Sequence, residues 1–205
     1  MYLGEVTRNV ILYLVDSQLI FEGHSSKQLN QHYGLDTASQ SFFVRSLRSA
    51  LSTDPKSDSV MSGLEASSVS TSSAASDPIA SIRKVIVNDF QIKESLIKDS
   101  DCIAVARVSE IVGTRGARLS ACALAACVRQ TGHDVQGSTK RAKFGADGSL
   151  VEFYPRYSER IFKALEEVLG SEVAGRCEMS HAKDGSGIGA ALCAQAAEKL
   201  AEAGM

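Results

Sequence analysis

The chain has 205 residues, 44% of them hydrophobic, enough to bury one good core with an appendage. Its 22 Lys+Arg against 24 Asp+Glu leave a net charge of −2, which gives no electrostatic case for nucleic acid or an anionic membrane surface as partner. The longest strongly apolar run, around Leu119–Val128, is too short to span a bilayer, and the N-terminal MYLGEVTRNV lacks the basic-then-apolar pattern of a secretory signal.

Residues 5–15, EVTRNVILYLV, set Val6, Val10 and Leu14 four apart with Ile11 and Val15 alongside, which predicts an amphipathic helix with one broad apolar face. After a loop rich in Gly, Ser and His, Asp36 stands as an N-cap before TASQSFFVRSLRSAL, where Phe42, Phe43 and Leu47 keep helical spacing. From Ser52 to Asp77, 10 of 26 residues are serine and none is aromatic. Burial in such a segment cannot offset its ordering entropy, so a disordered insertion or flexible loop is expected. Helical pattern resumes at IASIRKVIV, 79–87, and again from about Asp101 to Gln130, read as two helices with a seam near Gly113 or Gly116. Small residues crowd 117–127 and suit close packing. In RAKFGADGSLVEFYP, Asp147-Gly148 lies between two short runs and predicts a tight β-hairpin. RYSERIFKALEEVL, 156–169, returns to helical spacing through Tyr157, Ile161, Leu165 and Val168. A strand around 175–182, a glycine loop and a final helix over 188–203 complete an α/β order with no internal repeat.

The chemistry concentrates in AKDGSGIGAALCA near the C-terminus, with Gly185, Gly187 and Gly189 at alternate positions. Glycine serves where φ is positive or where another group approaches the main chain, and a helix start presents unpaired N–H groups to an anion. A Walker loop is excluded because no lysine follows in GxxxxGK[ST] spacing, and a dinucleotide fold because only 16 residues follow Gly189. Spacing alone leaves a packing turn and a ligand loop equally open. Thr37 and Ser41, four apart, share a helix face at its start, which ordinary capping explains as well as ligand contact does. The five cysteines (102, 122, 127, 177, 193) are odd in number and lack a CxxC pair, so a reduced, cytoplasmic chain with idle thiols is expected. The four histidines have no metal-ligand spacing. Arg115 and Arg118 fit pairing with carboxylates better than phosphate contact.

The run AKDGSGIGAALCA resembles the adenosine-side motif of the eukaryotic hexokinases, and Ile188 with GAALCA most resembles the glucokinase branch of the fungal enzymes. Other stretches resemble the family in the same order. MYLGEVTRNVIL is similar to its YLGE helix, HYGLDTASQS to a segment near the nucleotide, VSEIVGTRGARLSACALAA to its connecting helices and GADGSLVEFYP to its DG segment. The resemblance covers about 1–50 and 79–203. It divides the chain into a first hexokinase region over 1–51, the Ser-rich insertion over 52–77 and the remaining region with the nucleotide loop over 78–205.

The fold this resemblance implies is the C-terminal part of an actin-like, ribonuclease-H-like α/β ATPase architecture, helix-rich with a small sheet. The implied partners are ATP or ADP with Mg2+ and, in the full-length family, a hexose such as glucose, with neither nucleic acid nor membrane. Thr37 and Ser41 are implied to contact phosphates, and Gly185, Ser186, Gly187, Ile188, Gly189 and Ala190 to let adenosine lie against a helix start. The family's first phosphate loop, catalytic aspartate and sugar-contacting Asn and Glu lie N-terminal to YLGE, so no catalytic residue is assigned in this chain. Three states are expected alternatives: part of an ATP:hexose phosphotransferase, a non-catalytic nucleotide-binding or regulatory module, or a remnant without stable fold.

Overall fold

The computed structural model describes residues 2–51, 77–181 and 185–202, so the Ser-rich segment lies outside the described residues apart from Asp77. The chain divides into two units, one running to Gly113 and the other starting at Thr114. This boundary falls within one helix and matches none of the three regions drawn from sequence.

In the first unit, α1 (Tyr2–Asp16) buries Gly4, Thr7, Arg8, Ile11 and Val15. The expected helix is present, but its inward face is turned from the expected one. Val6 and Val10 are exposed, because Gly4 allows α1 to lie directly on the chain before the next long helix. A Cβ at Gly4 would stand 2.2 Å from the Leu35 carbonyl oxygen, closer than any side chain tolerates. The short α2 (Lys27–Asn30) is capped by Ser26, whose Oγ accepts from Leu29 N at 2.9 Å. Next, α3 (Thr37–Leu51) starts where the sequence placed it, with Asp36 Oδ1 accepting from Ala38 N at 3.1 Å. Asp77 then caps α4 (Pro78–Val85), accepting from Ile79 N at 3.0 Å, with Pro78 at the helix's first turn. A single π-turn over Ile86–Phe90 follows and ends in left-handed backbone at Gln91. The core joins Ile11, Phe21, Leu29, Phe43, Ile82, Ile86 and Phe90 among others, with Phe43 and Phe90 edge to face at 5.9 Å.

The long helix α5 (Asp99–Gln130) is continuous over 32 residues. The two-helix expectation is corrected: neither Gly113 nor Gly116 breaks it, since glycine weakens a helix interior by only about 1 kcal/mol and packing on both sides compensates. By length and composition α5 could also cross a bilayer, which the short apolar run near Leu119–Val128 understated. It buries Cys102, Val105, Ala106 and Ser109 in the first unit and Ala117, Ala121, Ala125 and Val128 in the second.

In the second unit, β1 (Ala142–Ala146) pairs in parallel with β2 (Cys177–His181), in the register Ala142↔Cys177 through Ala146↔His181. Between them run α6 (Ser149–Phe153), α7 (Tyr157–Leu169) and α8 (Ser171–Ala174). The hairpin expectation is therefore corrected. Asp147-Gly148 ends β1 and starts α6, and Gly148, at φ +121°, accepts from both Val151 N and Glu152 N. Positive φ, the property that suggests a hairpin turn, is present, but it serves a strand-to-helix turn. α7 buries Tyr157, Ile161, Ala164 and Leu165. It is joined to α5 by Tyr157 OH against Ser120 Oγ at 3.3 Å and by an Arg118–Glu167 ion pair at 2.6 Å. Last comes α9 (Gly185–Glu202).

Candidate functional site

Parallel strands end at the same sheet edge, and Ala146 and His181, the last residues of β1 and β2, are register partners. The turn 147–149 therefore leaves the sheet beside the point where the chain heads toward α9. The carboxyl edge of parallel strands, with a helix starting there, is where open α/β sheets take ligands, since strand ends and helix N–H groups converge on one crevice. The sequence placed the glycine segment at such an edge but missed its neighbour. Asp147, Gly148 and Ser149 join it only through the parallel pairing, which no short-range pattern encodes.

The glycine segment is not a loop. Gly185, Gly187, Ile188, Gly189 and Ala190 all lie within the first two turns of α9, and the helix begins three residues before the expected start. Glycines at 23, 132, 137, 148 and 170 carry positive φ in this chain. What distinguishes Gly189 is space, for a Cβ there would meet nothing within 4 Å. Ile188 is exposed, and so are Gly187 and Ala190. Ser186 belongs to the same turn.

Thr37 and Ser41 lie in the other unit. Thr37 is half-buried as the first residue of α3, and Ser41 donates its Oγ–H to the Thr37 carbonyl at 3.0 Å. The Ser41 hydroxyl hydrogen is thus committed to the helix backbone.

The loop ahead of Thr37 is fixed by Glu5. Its carboxylate accepts from Arg8 Nε at 2.7 Å and from Tyr33 N at 2.7 Å, while Arg8, 2% exposed, donates from Nη1 to the Leu29 carbonyl at 2.9 Å. The Arg8 guanidinium, helped by the Tyr33 amide and His32, holds the Glu5 carboxyl at about 2 against the ordinary 4.5. Glu5 is thus a helix-to-loop anchor. Beside this loop an open groove of about 360 Å³ is lined by Gln28, Gly34, Asp36, Ser39, Asn88, Asp89 and Gln91, with Ser39 Oγ donating to Asp89. Two carboxylates and no cation in its lining make it a poor seat for phosphate.

Among the described residues no group of three or more His, Cys, Asp or Glu could hold a metal ion. Cys102 and Cys177 are buried, and desolvation pushes the Cys102 thiol up to about 11, so neither is a nucleophile. Arg118 is paired with Glu167, the carboxylate pairing expected of it.

A helix-rich chain with a parallel strand pair and a helix start at its carboxyl edge defines a partial α/β fold of the actin-like type. Its structural neighbours agree. A hexokinase from Schistosoma mansoni complexed with glucose superposes with a TM-score of 0.68 at 24% identity, over 93% of this chain and 34% of that one. A second hexokinase structure gives 0.62 at 19% identity, covering 90% of this chain and 33% of its own. The hexokinase family model matches residues 1–196, and the chain belongs to the hexokinase family. Its relatives include hexokinase-1 of Schizosaccharomyces pombe, 27% identical over 93% of this chain and 32% of that protein. Hexokinase-1 of Arabidopsis thaliana is 29% identical over 95% and 34%, and hexokinase-2 of Solanum tuberosum 30% over 95% and 34%. Fungal and plant relatives thus match about equally. The chain spans about a third of the length of these relatives.

Proposed function

We propose that this chain supplies the adenine-nucleotide side of an ATP:hexose phosphotransferase, which moves the terminal phosphoryl group of MgATP to the 6-hydroxyl of glucose or a similar hexose. The carrying observation is the carboxyl edge of the β1–β2 pair, where the 147–149 turn meets the chain leading into α9. Main-chain N–H groups of the first turn of α9 donate to nucleotide oxygens, and the helix dipole favours their negative charge. The nucleotide's sugar and base rest on Gly185, Ser186, Gly187, Ile188, Gly189 and Ala190, and the empty space beside Gly189 suits that approach. Thr37 is a further phosphate contact through its hydroxyl and main chain, and Ser41 steadies it by holding the Thr37 carbonyl. Mg2+ arrives bound to the phosphates, which suits a chain whose described residues form no metal cluster. The base that accepts the sugar proton and the groups that bind the sugar come from the part of the hexokinase fold beyond this third.

Isothermal titration with MgATP and MgADP tests this. Saturable binding is expected, and Gly189→Val, which fills the open space without touching its own chain, should weaken it at least about tenfold, or roughly 1.4 kcal/mol. Unchanged binding in the variant would remove adenosine from α9. Incubated with glucose and MgATP, these 205 residues alone should form no glucose 6-phosphate above a protein-free blank.

A further inference from the structure

Three surfaces in this chain have the composition of an interior and the exposure of an exterior. Among the described residues, β1 and β2 form a two-stranded parallel sheet, so each strand keeps one outer edge of main-chain N–H and C=O groups without a strand neighbour. Parallel sheets ordinarily carry further strands and cover on both faces, and an isolated strand pair is marginal in water. The second surface is α9. From Gly187 to Ala197 its one polar side chain is Gln195, and a helix apolar all round belongs inside a protein. Yet every residue of that stretch is exposed except half-buried Gly189, with Ile188 at 55% and Leu192 at 61%. The third, in the other unit, is the outer stripe of α1, where Tyr2, Val6, Val10 and Tyr13 are all exposed.

We propose that these surfaces form a docking interface for a polypeptide carrying the two-thirds of a hexokinase fold that this chain does not span, and that hexose phosphorylation arises only in that complex. The proposal rests on the phosphotransferase function proposed above. The partner adds strands to the open edge of the β1–β2 pair by main-chain hydrogen bonding and encloses α9 in apolar surface. A second copy of this chain is the weaker occupant. Twofold pairing covers one stripe of a helix, whereas α9 is apolar around its circumference and needs cover on several sides. The relatives carry the required mass of chain, since the matched region is 32% of the fission-yeast protein and 34% of the Arabidopsis one.

The test is reconstitution in trans. The full chain is co-expressed with the unmatched portion of the Schizosaccharomyces pombe hexokinase-1 and, separately, with that of the Arabidopsis hexokinase-1, each part also being purified alone. Expected are a 1:1 complex, slower amide exchange at 142–146 or 177–181 and along 187–197, and glucose-dependent ADP release that neither part gives alone. Leu192→Lys, on the exposed surface of α9, should weaken the complex roughly tenfold or more while leaving MgATP binding by the chain alone unchanged. Failure to form a complex with either partner overturns the proposal, as does a self-dimer that protects Leu192, or a complex without phosphorylation. If the chain alone binds MgATP and yet forms no complex, docking falls while the nucleotide assignment stands. If a complex forms and phosphorylates glucose but Gly189→Val leaves nucleotide binding intact, docking stands and the adenosine assignment falls.

Discussion

Glu5 shows how one carboxylate positions a whole segment. It is bonded to Arg8 on its own helix and to Tyr33 N on the loop before α3, so it fixes where Thr37 stands relative to α1. Its pKa is depressed in the folded chain, so its contribution to stability is fully present above the ordinary 4.5 and is lost as pH falls toward about 2. Urea titrations across that window should show the native chain losing stability from this group, while Glu5→Gln is weaker at neutral pH and lacks that share of the acid slope. Breaking the pair leaves buried Arg8 without its carboxylate, a loss on the order of 3 kcal/mol. Gly4, one residue earlier, gives the opposite of a propensity argument. In an exposed helix Gly→Ala stabilises by about 0.5–1 kcal/mol, but here the added Cβ meets the Leu35 carbonyl oxygen at 2.2 Å. Gly4→Ala should therefore lower the melting temperature and, by shifting residues 35–37, weaken MgATP binding; a higher melting temperature would contradict this packing.

At the scale of elements, α5 carries the close packing. Ala117, Ala121 and Ala125 repeat every four residues and are buried beneath the second unit's helices, a stripe that permits near approach because it has no bulk. Ala121→Leu has no room to enter and should cost about 1–3 kcal/mol, read as a lower urea midpoint with unchanged slope. The crowding of small residues over 117–127 made that contact legible in the sequence. The hairpin was misread for a definable reason. Asp-Gly reports that a residue must adopt positive φ, and both a hairpin and a strand-to-helix turn satisfy this at Gly148. Only the pairing of β1 with β2, more than thirty residues away, decides between them. The start of α9 was misplaced because three glycines in five residues carry poor helix propensity, yet the helix incorporates them.

At the scale of the molecule, any ligand that binds only the folded state raises its stability by mass action. The melting temperature of the whole chain should therefore rise with the logarithm of MgATP concentration, corresponding to about 2.7 kcal/mol at a hundredfold excess over the dissociation constant. Differential scanning fluorimetry over a nucleotide series checks this, and a flat response at millimolar MgATP would count against the nucleotide assignment.

By itself, the sequence determined most of the helices, their caps at Asp36 and Asp77, and membership of the hexokinase family, because periodicity, capping chemistry and ordered motifs are local properties written in consecutive residues. Tertiary structure alone decided which face of α1 turns inward, that β1 and β2 run parallel, that Asp147–Ser149 shares a sheet edge with the approach to α9, and that Glu5 is an anchor. Each depends on partners 27 or more residues apart in the chain, and the free energy that selects them comes from burial and main-chain pairing that no short window of sequence contains.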